Sequence, residues 1–438
     1  MPPAEDDWRR YDCRRARCPG SGLERIVLTH PEYMDAIRSK IGCAEANPFP
    51  IGAKGNDSWE IAGFVACRAL QCAPPVPKAW IAIAWRTIRL MNGLQRIRKV
   101  LNGDAPDRTP VFPLVHYGTA HAGGVKIRDF ATDARINARC LIHAFLECGY
   151  DGVHPAIAVS VEGEAVGGRV TYPEDNVPFV AEPFLKTADI DRLEMPDPNI
   201  TPPMSRIVES TRICAAEIGT EAYIAPILMG PLNCASQIRG VQNLMFDLID
   251  RPSFAEELLG FTTELGLRYG KALIDAGAHG IFMGEAICSP AFISPAFYRR
   301  FVLSRQRRLI EDLLEYGAES VILHICGDTR QIMEAYAAGT GASIIDLDWQ
   351  VDVAETLASK VFENLPTLVR GNLNPAAVLF TGTPQDVLEA SRRLIESVGT
   401  ATRFILGSGC TMNPDSLPAN ARAMVTAAEV YGRFPGQD

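Results

Sequence analysis

The chain has 438 residues, of which 47% are hydrophobic and 22% charged, and its formal net charge at pH 7 is −9. This length is enough for one large α/β domain or for roughly two or three smaller domains. The acidic balance, without basic runs interleaved with aromatic residues, argues against nucleic acid or an anionic membrane as the main partner. Chemistry on a small molecule is the better expectation.

The 12 cysteines are irregularly spaced and too sparse for the disulfide framework of a small secreted protein. Most lie in apolar helical contexts, which indicates free thiols in a reducing compartment. No signal-peptide pattern follows Met1, and the longest early apolar stretch, 79–85, is too short to span a bilayer. We therefore expect a cytoplasmic protein.

The first 90 residues differ from the remainder, because they combine paired charges, scattered proline and glycine, and no sustained periodicity. Two C-x4-C pairs occur there, Cys13/Cys18 and Cys67/Cys72. They could be metal ligands, but no histidine has the spacing to complete such a site, so incidental cysteines are the better interpretation.

A different pattern begins at Met91, where an amphipathic helix is followed by Gly103. The contrast predicts an N-terminal extension over residues 1–90 and a main domain over residues 91–438. It also raises the hypothesis that Met91 is the true start, with the preceding segment an extension or an artefact of the gene assignment.

Within the main domain, apolar strand patterns alternate with helical patterns. The predicted strands are 110–116, 152–159, 222–229, 280–284, 320–325, 342–347, 367–371 and 403–406. The predicted helices are 131–148, 203–218, 253–276, 295–316, 329–338, 351–360 and 384–398. Most later strands are continuous apolar runs, which favours a parallel sheet buried on both faces. The alternation predicts a (β/α)8 TIM barrel, with a doubly wound open sheet as the alternative.

Two of the strand ends carry residues typical of metal sites. The stretch V-I-L-H-I-C-G-D ends a strand in His324 and Cys326, and F-I-L-G-S-G-C ends the last strand in Cys410. Residues two apart on a strand project to one face, and the strands of a barrel open onto one mouth. Two thiolates and one imidazole would bind zinc and leave a fourth position open. From the pattern alone, ordinary buried thiols remain the alternative.

Other polar residues also stand at or just beyond predicted strand ends. They are His116, His121, Asn233, Glu285, Asp346, Asp348, Asn372 and Asn374. Glu285 is a candidate fourth zinc ligand or general base, although a hydrogen-bonded carboxylate is the simpler interpretation. The candidates for substrate contact are His116, Asn233, Asp348 and Asn372.

Several separate motifs resemble the uroporphyrinogen decarboxylase superfamily, a (β/α)8-barrel family. They are D-R-T-P-V-F-P at 107–113, V-E-G-E-A-V-G-G at 161–168, G-P-L-N at 230–233, F-I-S-P-A-F-Y at 292–298, G-N-L-N-P at 371–375 and G-C-T-M-N-P-D-S-L-P-A-N at 409–420. The resemblance extends from Met91 to Gly432. It implies a TIM barrel for this part of the chain.

The chain departs from the true decarboxylases of this superfamily. Their arginine-rich M-R-Q-A-G-R stretch is replaced by P-L-V-H-Y-G-T-A, their second-strand aspartate is replaced near Ala158, and their late histidine by Cys410. A mouth without those charges would leave the carboxylates of a porphyrinogen unpaired. Decarboxylation is therefore not expected.

The departures match the corrinoid-dependent methyltransferase branch, which is similar to methylcobalamin:coenzyme M methyltransferases. The resemblance implies zinc ligands at His324, Cys326 and Cys410. It also implies methyl transfer from a methylated corrinoid to a small-molecule acceptor, either coenzyme M or another thiol, or tetrahydrofolate. The chain lacks a D-x-H-x-x-G corrinoid motif, so a partner protein is expected to carry the corrinoid. A decarboxylase-like lyase acting on a tetrapyrrole and a non-catalytic corrinoid-binding protein remain the alternatives.

Overall fold

A computed structural model describes residues 14–17, 24–27, 91–399 and 401–435 of the chain. The chain divides between Arg89 and Leu90 into two units. In the first unit, strands β1 (Arg14–Arg17) and β2 (Glu24–Val27) pair antiparallel. Both C-x4-C cysteine pairs lie outside the described residues.

The second unit is a parallel barrel with helices around it, so the predicted TIM barrel is confirmed and the open sheet is not. Its strands, with one hairpin, are β3 (Gly152–Val153), β4 (Arg169–Thr171), β5 (Phe179–Glu182), β6 (Tyr223–Ile224), β7 (Ile227–Met229), β8 (Gly280–Gly284), β9 (Ser320–Ile325), β10 (Ile344–Leu347), β11 (Leu368–Leu373) and β12 (Phe404–Ser408). Strands β7 to β12 follow one another in a parallel sheet, and β3 pairs with β6. The antiparallel hairpin β4–β5 lies between β3 and β6 in the chain, outside the parallel sheet.

Residues 110–112 close the ring between the last strand and β3. The Phe112 N–H donates to the Leu406 carbonyl at 2.8 Å, and the Asp151 N–H donates to the Val111 carbonyl at 2.7 Å. Closure brings the carboxyl ends of all barrel strands to one mouth, as the sequence argument requires.

The helices surround this ring. They are α1 (Gly93–Leu101), α2 (Gly118–Ala122), α3 (Ile127–Thr132), α4 (Ala134–Cys148), α5 (Val161–Ala165), α6 (Met204–Ile218), α7 (Pro231–Arg239), α8 (Val241–Asp250), α9 (Pro252–Asp275), α10 (Pro295–Phe297), α11 (Leu303–Tyr316), α12 (Val353–Ala358), α13 (Pro384–Val398) and α14 (Pro418–Tyr431). No described helix is long and apolar enough to cross a membrane.

Three strand predictions were too long, and proline explains each. Pro110 and Pro113 lack the N–H that a strand ladder needs, so only a short pairing forms where 110–116 was predicted. Pro155 and Pro226 likewise interrupt the second and third barrel strands, and the latter separates β6 from β7.

Two helix predictions were also inaccurate. The segment predicted as one helix over 329–338 instead contains a 3₁₀ turn at Arg330–Ile332 and a π-helical turn at Ala335–Gly339. The predicted helix 295–316 contains a π-helical turn, Tyr298–Val302, between α10 and α11. Such turns interrupt the regular helical ladder and are frequent near functional sites.

Helix α1 covers the amino-terminal end of the barrel. Asn92 caps it in a capping box with Gln95, and its apolar face buries Leu94, Ile97 and Val100 against the barrel interior. This packing leaves the opposite, carboxyl-terminal end of the barrel as the open mouth.

Candidate metal centre

The structure brings three of the predicted residues together at the mouth. His324 lies near the end of β9, Cys326 follows that strand directly, and Cys410 lies two residues beyond β12. The Nε2 atom of His324 is 3.2 Å from Cys326 Sγ, which is 3.9 Å from Cys410 Sγ. The three potential ligand atoms all lie within 4.8 Å of one another.

Two glycines allow the chain to place these thiols. Gly327, directly after Cys326, has a φ of +79°, a left-handed conformation that glycine adopts without strain. A Cβ atom on Gly409, directly before Cys410, would lie 2.6 Å from the Trp349 backbone nitrogen. A larger residue at position 409 would therefore push Cys410 away from its partners.

The arrangement fits a tetrahedral zinc ion. At tetrahedral angles, zinc–sulfur bonds of about 2.3 Å and zinc–nitrogen bonds of about 2.0 Å place two thiolates about 3.8 Å apart and an imidazole nitrogen about 3.5 Å from a thiolate. The observed Sγ–Sγ and Nε2–Sγ distances, 3.9 Å and 3.2 Å, are close to these values. The two thiols and the imidazole also form a donor set that zinc prefers.

The protons of the cluster are distributed unevenly. A hydrogen bond from Cys326, helped by His324, lowers the pKa of the Cys410 thiol to about 4. The same bond, together with burial, raises the pKa of Cys326. Burial alone would lower the pKa of His324, but Cys326 and Asp346 together raise it well above its ordinary value. The cluster therefore holds the Cys410 thiolate beside two proton donors, Cys326 and His324. A bound metal cation would take the place of their protons.

Glu285 lies elsewhere, between β8 and the start of α7. It is fully buried, and its carboxylate accepts the N–H groups of Leu232 and Asn233, at 3.3 and 2.8 Å, and the side-chain amide of Gln306 at 3.2 Å. Burial raises the pKa of this carboxyl to about 7. Glu285 does not belong to the three-residue cluster, and its role as fourth ligand or general base remains a prediction.

The four residues predicted to contact substrate lie in or beyond the last residues of barrel strands, and several of their polar groups already form hydrogen bonds within the protein. The carboxylate of Asp348 accepts the Gly327 N–H at 2.9 Å and so supports the turn after Cys326. The Asn372 amide donates to the carbonyls of Asp348 and Val351 at 2.9 and 2.5 Å. Asp348 and Asn372 therefore stabilise the loops beside the candidate metal centre.

His116 and Asn233 are the other two predicted contacts. His116 has a φ of +43°, its ring packs at a tilt against that of Tyr117, and its Nε2 has no hydrogen-bond partner among the described residues. Burial lowers the pKa of His116 to about 3, so its ring is neutral. Asn233 donates its side-chain amide to the sulfur of Met229 at 3.0 Å. Substrate contact by all four residues remains a prediction.

Two residues lie behind His324: Asp346, which the sequence placed at a strand end without a role, and Arg370, which the sequence did not single out. Asp346 Oδ2 lies 2.9 Å from His324 Nδ1, and Arg370 Nε donates to Asp346 Oδ1 at 2.6 Å. A charged residue inside the apolar run T-L-V-R-G was the available signal for Arg370. His121, noted at a predicted strand end, instead lies between two surface carboxylates, Asp175 and Asp415, at 3.0 and 2.9 Å.

Comparison with known proteins agrees with the fold. The sequence pattern described as Uroporphyrinogen decarboxylase (URO-D) matches residues 92–431. The methylcobamide:CoM methyltransferase MtbA of Methanosarcina mazei is 27% identical over 343 residues, which cover 77% of this chain and 97% of that protein. The methylcobamide:CoM methyltransferase MtaA of Methanosarcina barkeri is 25% identical over 344 residues, with the same coverage.

A uroporphyrinogen decarboxylase of Carboxydothermus hydrogenoformans is also similar, with 25% identity over 61% of this chain and 75% of that protein. Among solved structures, a methyltransferase from Methanosarcina mazei superposes with a TM-score of 0.71 at 20% identity, covering 78% of this chain and 99% of that one. The predicted resemblance to the methyltransferase branch is thus confirmed by relatives matched along nearly their whole length. The chain belongs to the uroporphyrinogen decarboxylase (URO-D) family.

Proposed function

We propose that this protein is a zinc-dependent methyltransferase that moves a methyl group from a methylated corrinoid to a small-molecule acceptor. The observation that carries the proposal is the convergence of His324, Cys326 and Cys410 at the barrel mouth. The names of the methyltransferase relatives support methylcobamide as donor and coenzyme M as acceptor. Another thiol or tetrahydrofolate is the alternative acceptor.

His324, Cys326 and Cys410 would hold the zinc ion and leave its fourth position to the acceptor. Zinc bound there supplies Lewis-acid chemistry that keeps an acceptor thiol deprotonated near neutral pH. In the overall reaction the acceptor sulfur forms a bond to the methyl carbon and the cobalt–carbon bond breaks. The bonding electron pair stays on cobalt, which leaves as Co(I), and the acceptor loses its proton.

The predicted role of Glu285 belongs to the same proposal. Its pKa of about 7 lets the carboxyl exchange a proton near neutral pH, as a general base requires. Asp348 and Asn372 hold the loops around the cluster, and this fixes the position of the thiol of Cys326.

A partner protein is expected to deliver the corrinoid, and the surface of the mouth supports this. Large apolar side chains are exposed in the segments that follow five barrel strands: Val159, Phe292, Trp349, Phe380 and Leu417. Exposed apolar side chains clustered around an active site are typical of protein docking surfaces.

The lyase alternative lacks support at the same mouth. Arg370, which lies on β11, is fully buried and bound to Asp346, so it is not available to a carboxylated tetrapyrrole. Binding of several substrate carboxylates needs paired cationic groups, because an unpaired buried charge is costly.

The test is demethylation of methylcobalamin, as a free substitute for the corrinoid protein, by the zinc-loaded enzyme. We expect turnover that depends on coenzyme M, another thiol or tetrahydrofolate, and that falls at least about a hundredfold in Cys410→Ser, as expected for loss of a metal ligand. Cys148→Ser is the matched control, because Cys148 lies away from the cluster and donates to the Pro418 carbonyl, a bond that serine preserves. No turnover with any acceptor, or full turnover in Cys410→Ser, would contradict the proposal.

A further inference from the structure

A line of polar contacts crosses the barrel interior and ends at the back of the His324 ring. The Nδ1 atom of His324 lies 2.9 Å from Asp346 Oδ2, and Arg370 Nε donates to Asp346 Oδ1 at 2.6 Å. On its other side, Arg370 Nη1 lies 2.9 Å from His154 Nε2, and His154 Nδ1 lies 2.7 Å from the Ala225 carbonyl. The residues come from different strands or strand ends, so the closed barrel is required to assemble the line.

The donor and acceptor groups along this line fix which atom donates at each step. The Ala225 carbonyl can only accept, so His154 must donate from Nδ1 and accept at Nε2. Arg370 has only donors, which matches the free Nε2 of His154 on one side and the carboxylate of Asp346 on the other. His324 Nδ1 faces Asp346: it lies 2.9 Å from the carboxylate oxygen Oδ2, and it lies 3.3 Å from the Asp346 backbone carbonyl, to which it donates a hydrogen bond. With its proton held on Nδ1, a neutral His324 ring carries its lone pair on Nε2, facing the two thiols.

The line is sealed from solvent. Asp346 and Arg370 are both fully buried, and His154 is almost so. The guanidinium of Arg370 lies between the rings of Phe112 and Phe282, at 5.2 and 5.0 Å from their centroids. Arg370 therefore cannot touch a substrate, and any effect it has on the metal centre must pass through Asp346.

We infer that Asp346 and Arg370 are positioning residues of the metal centre, and that they hold the His324 imidazole in the tautomer and orientation that present Nε2 to a metal. Rotation of the ring would move Nδ1 away from Asp346 in a buried site, and leaving buried polar groups unpaired is costly. The inference rests on the proposed zinc centre and deepens it, because it names the residues that prepare its nitrogen ligand.

The substitution Asp346→Asn tests this inference with little change of shape. An amide has one acceptor, and the charged Arg370 competes for it more strongly than His324 does. The NH₂ group then faces His324 Nδ1 and favours the wrong tautomer, with its proton on Nε2. We expect zinc affinity to fall roughly tenfold to a hundredfold, the range seen when a hydrogen-bond partner of a metal ligand is removed.

The readouts are zinc affinity, measured by competition with a chromophoric chelator, and the absorption spectrum of the cobalt(II)-loaded protein. Arg370→Met should weaken zinc binding similarly, and Arg370→Lys should recover part of the loss, because a lysine can still pair with Asp346. The double variant Asp346→Asn/Arg370→Met leaves no buried charge unpaired, so it tests the inference even if a single variant folds poorly.

Asp247→Asn is the matched control. Asp247 forms a similarly buried pair with Arg239, at 2.6 Å, but between helices α7 and α8. It should lose stability without changing zinc affinity or the cobalt spectrum. Unchanged zinc affinity in Asp346→Asn, Arg370→Met and the double variant would overturn the positioning role and leave the zinc centre intact. A wild-type protein that binds no zinc would overturn both.

Discussion

Buried polar groups are paired differently at the two ends of the barrel. At the amino-terminal end, Asp151 is 1% exposed and accepts from Arg96, from Arg108 and from the Val111 N–H, at 2.8, 2.8 and 2.6 Å. Arg96 also binds Asp107 at 2.6 Å, so each charge in this group has an opposite partner.

At the mouth, the three clustered residues contact one another, and Asp346 lies behind His324. Cys326 and His324 stabilise the thiolate form of Cys410. The neighbouring His116 leaves a buried ring nitrogen without a described partner. The paired charges at the amino-terminal end therefore stabilise the fold, while the polar groups at the mouth are available to bind a ligand.

The largest expected effect comes from breaking the closed end. Asp151→Asn leaves the buried Arg96 and Arg108 without their shared carboxylate, and we expect the free energy of unfolding to fall by about 3–5 kcal/mol. Chemical denaturation measures this loss. The zinc content per folded molecule should not change, so loss of zinc binding in folded protein would contradict the separation of the two ends.

Binding of zinc at the mouth should stabilise the protein instead. At free zinc about a hundredfold above the dissociation constant, the free energy of unfolding should rise by about 2.7 kcal/mol. Thermal unfolding with and without zinc measures this gain in the wild type and in Cys326→Ser. An equal gain in the variant would show that zinc binds somewhere other than the cluster.

A pH-dependent effect is expected from Glu162, which is buried near the mouth. Its Oε1 accepts the Met229 N–H at 2.7 Å, its Oε2 has no described partner, and burial raises its pKa to about 7. The folded state therefore holds the proton more tightly than the unfolded state, whose pKa is about 4.3. This contribution to stability is complete at low pH and is lost as the pH rises to about 7.

Glu162→Gln keeps the acceptor for Met229 and removes the charge. Relative to the wild type, the variant should gain about 2–3 kcal/mol of unfolding free energy between pH 5 and pH 8. Denaturation across this range measures the difference. A difference that stays constant with pH would contradict the raised pKa.

The smallest effect on stability is expected at Trp349, whose side chain is 51% exposed beside the metal centre. Trp349→Ala should change the free energy of unfolding by less than about 0.5 kcal/mol. It should nevertheless raise the KM for the methylated corrinoid, because an exposed ring at the mouth is available to a docking partner. An unchanged KM would remove Trp349 from the proposed docking surface.

The sequence predicted that His324, Cys326 and Cys410 cluster, because each stands at the end of a recognisable apolar run and a closed barrel must bring such ends together. It could not predict the line through Arg370, since the direction of a side chain on a strand buried on both faces is decided by closure of the ring. The prolines that shorten strands, such as Pro155 and Pro226, were visible. Their effect was underestimated because the apolar pattern continues past them.

The most direct test is the zinc content of the wild-type protein and of Cys410→Ser, purified identically and measured by elemental analysis, with Cys148→Ser as control. The metal centre described above predicts one zinc per chain in the wild type and in the control, and a large loss in Cys410→Ser. Absence of zinc from the wild type, or full occupancy in Cys410→Ser, would contradict it.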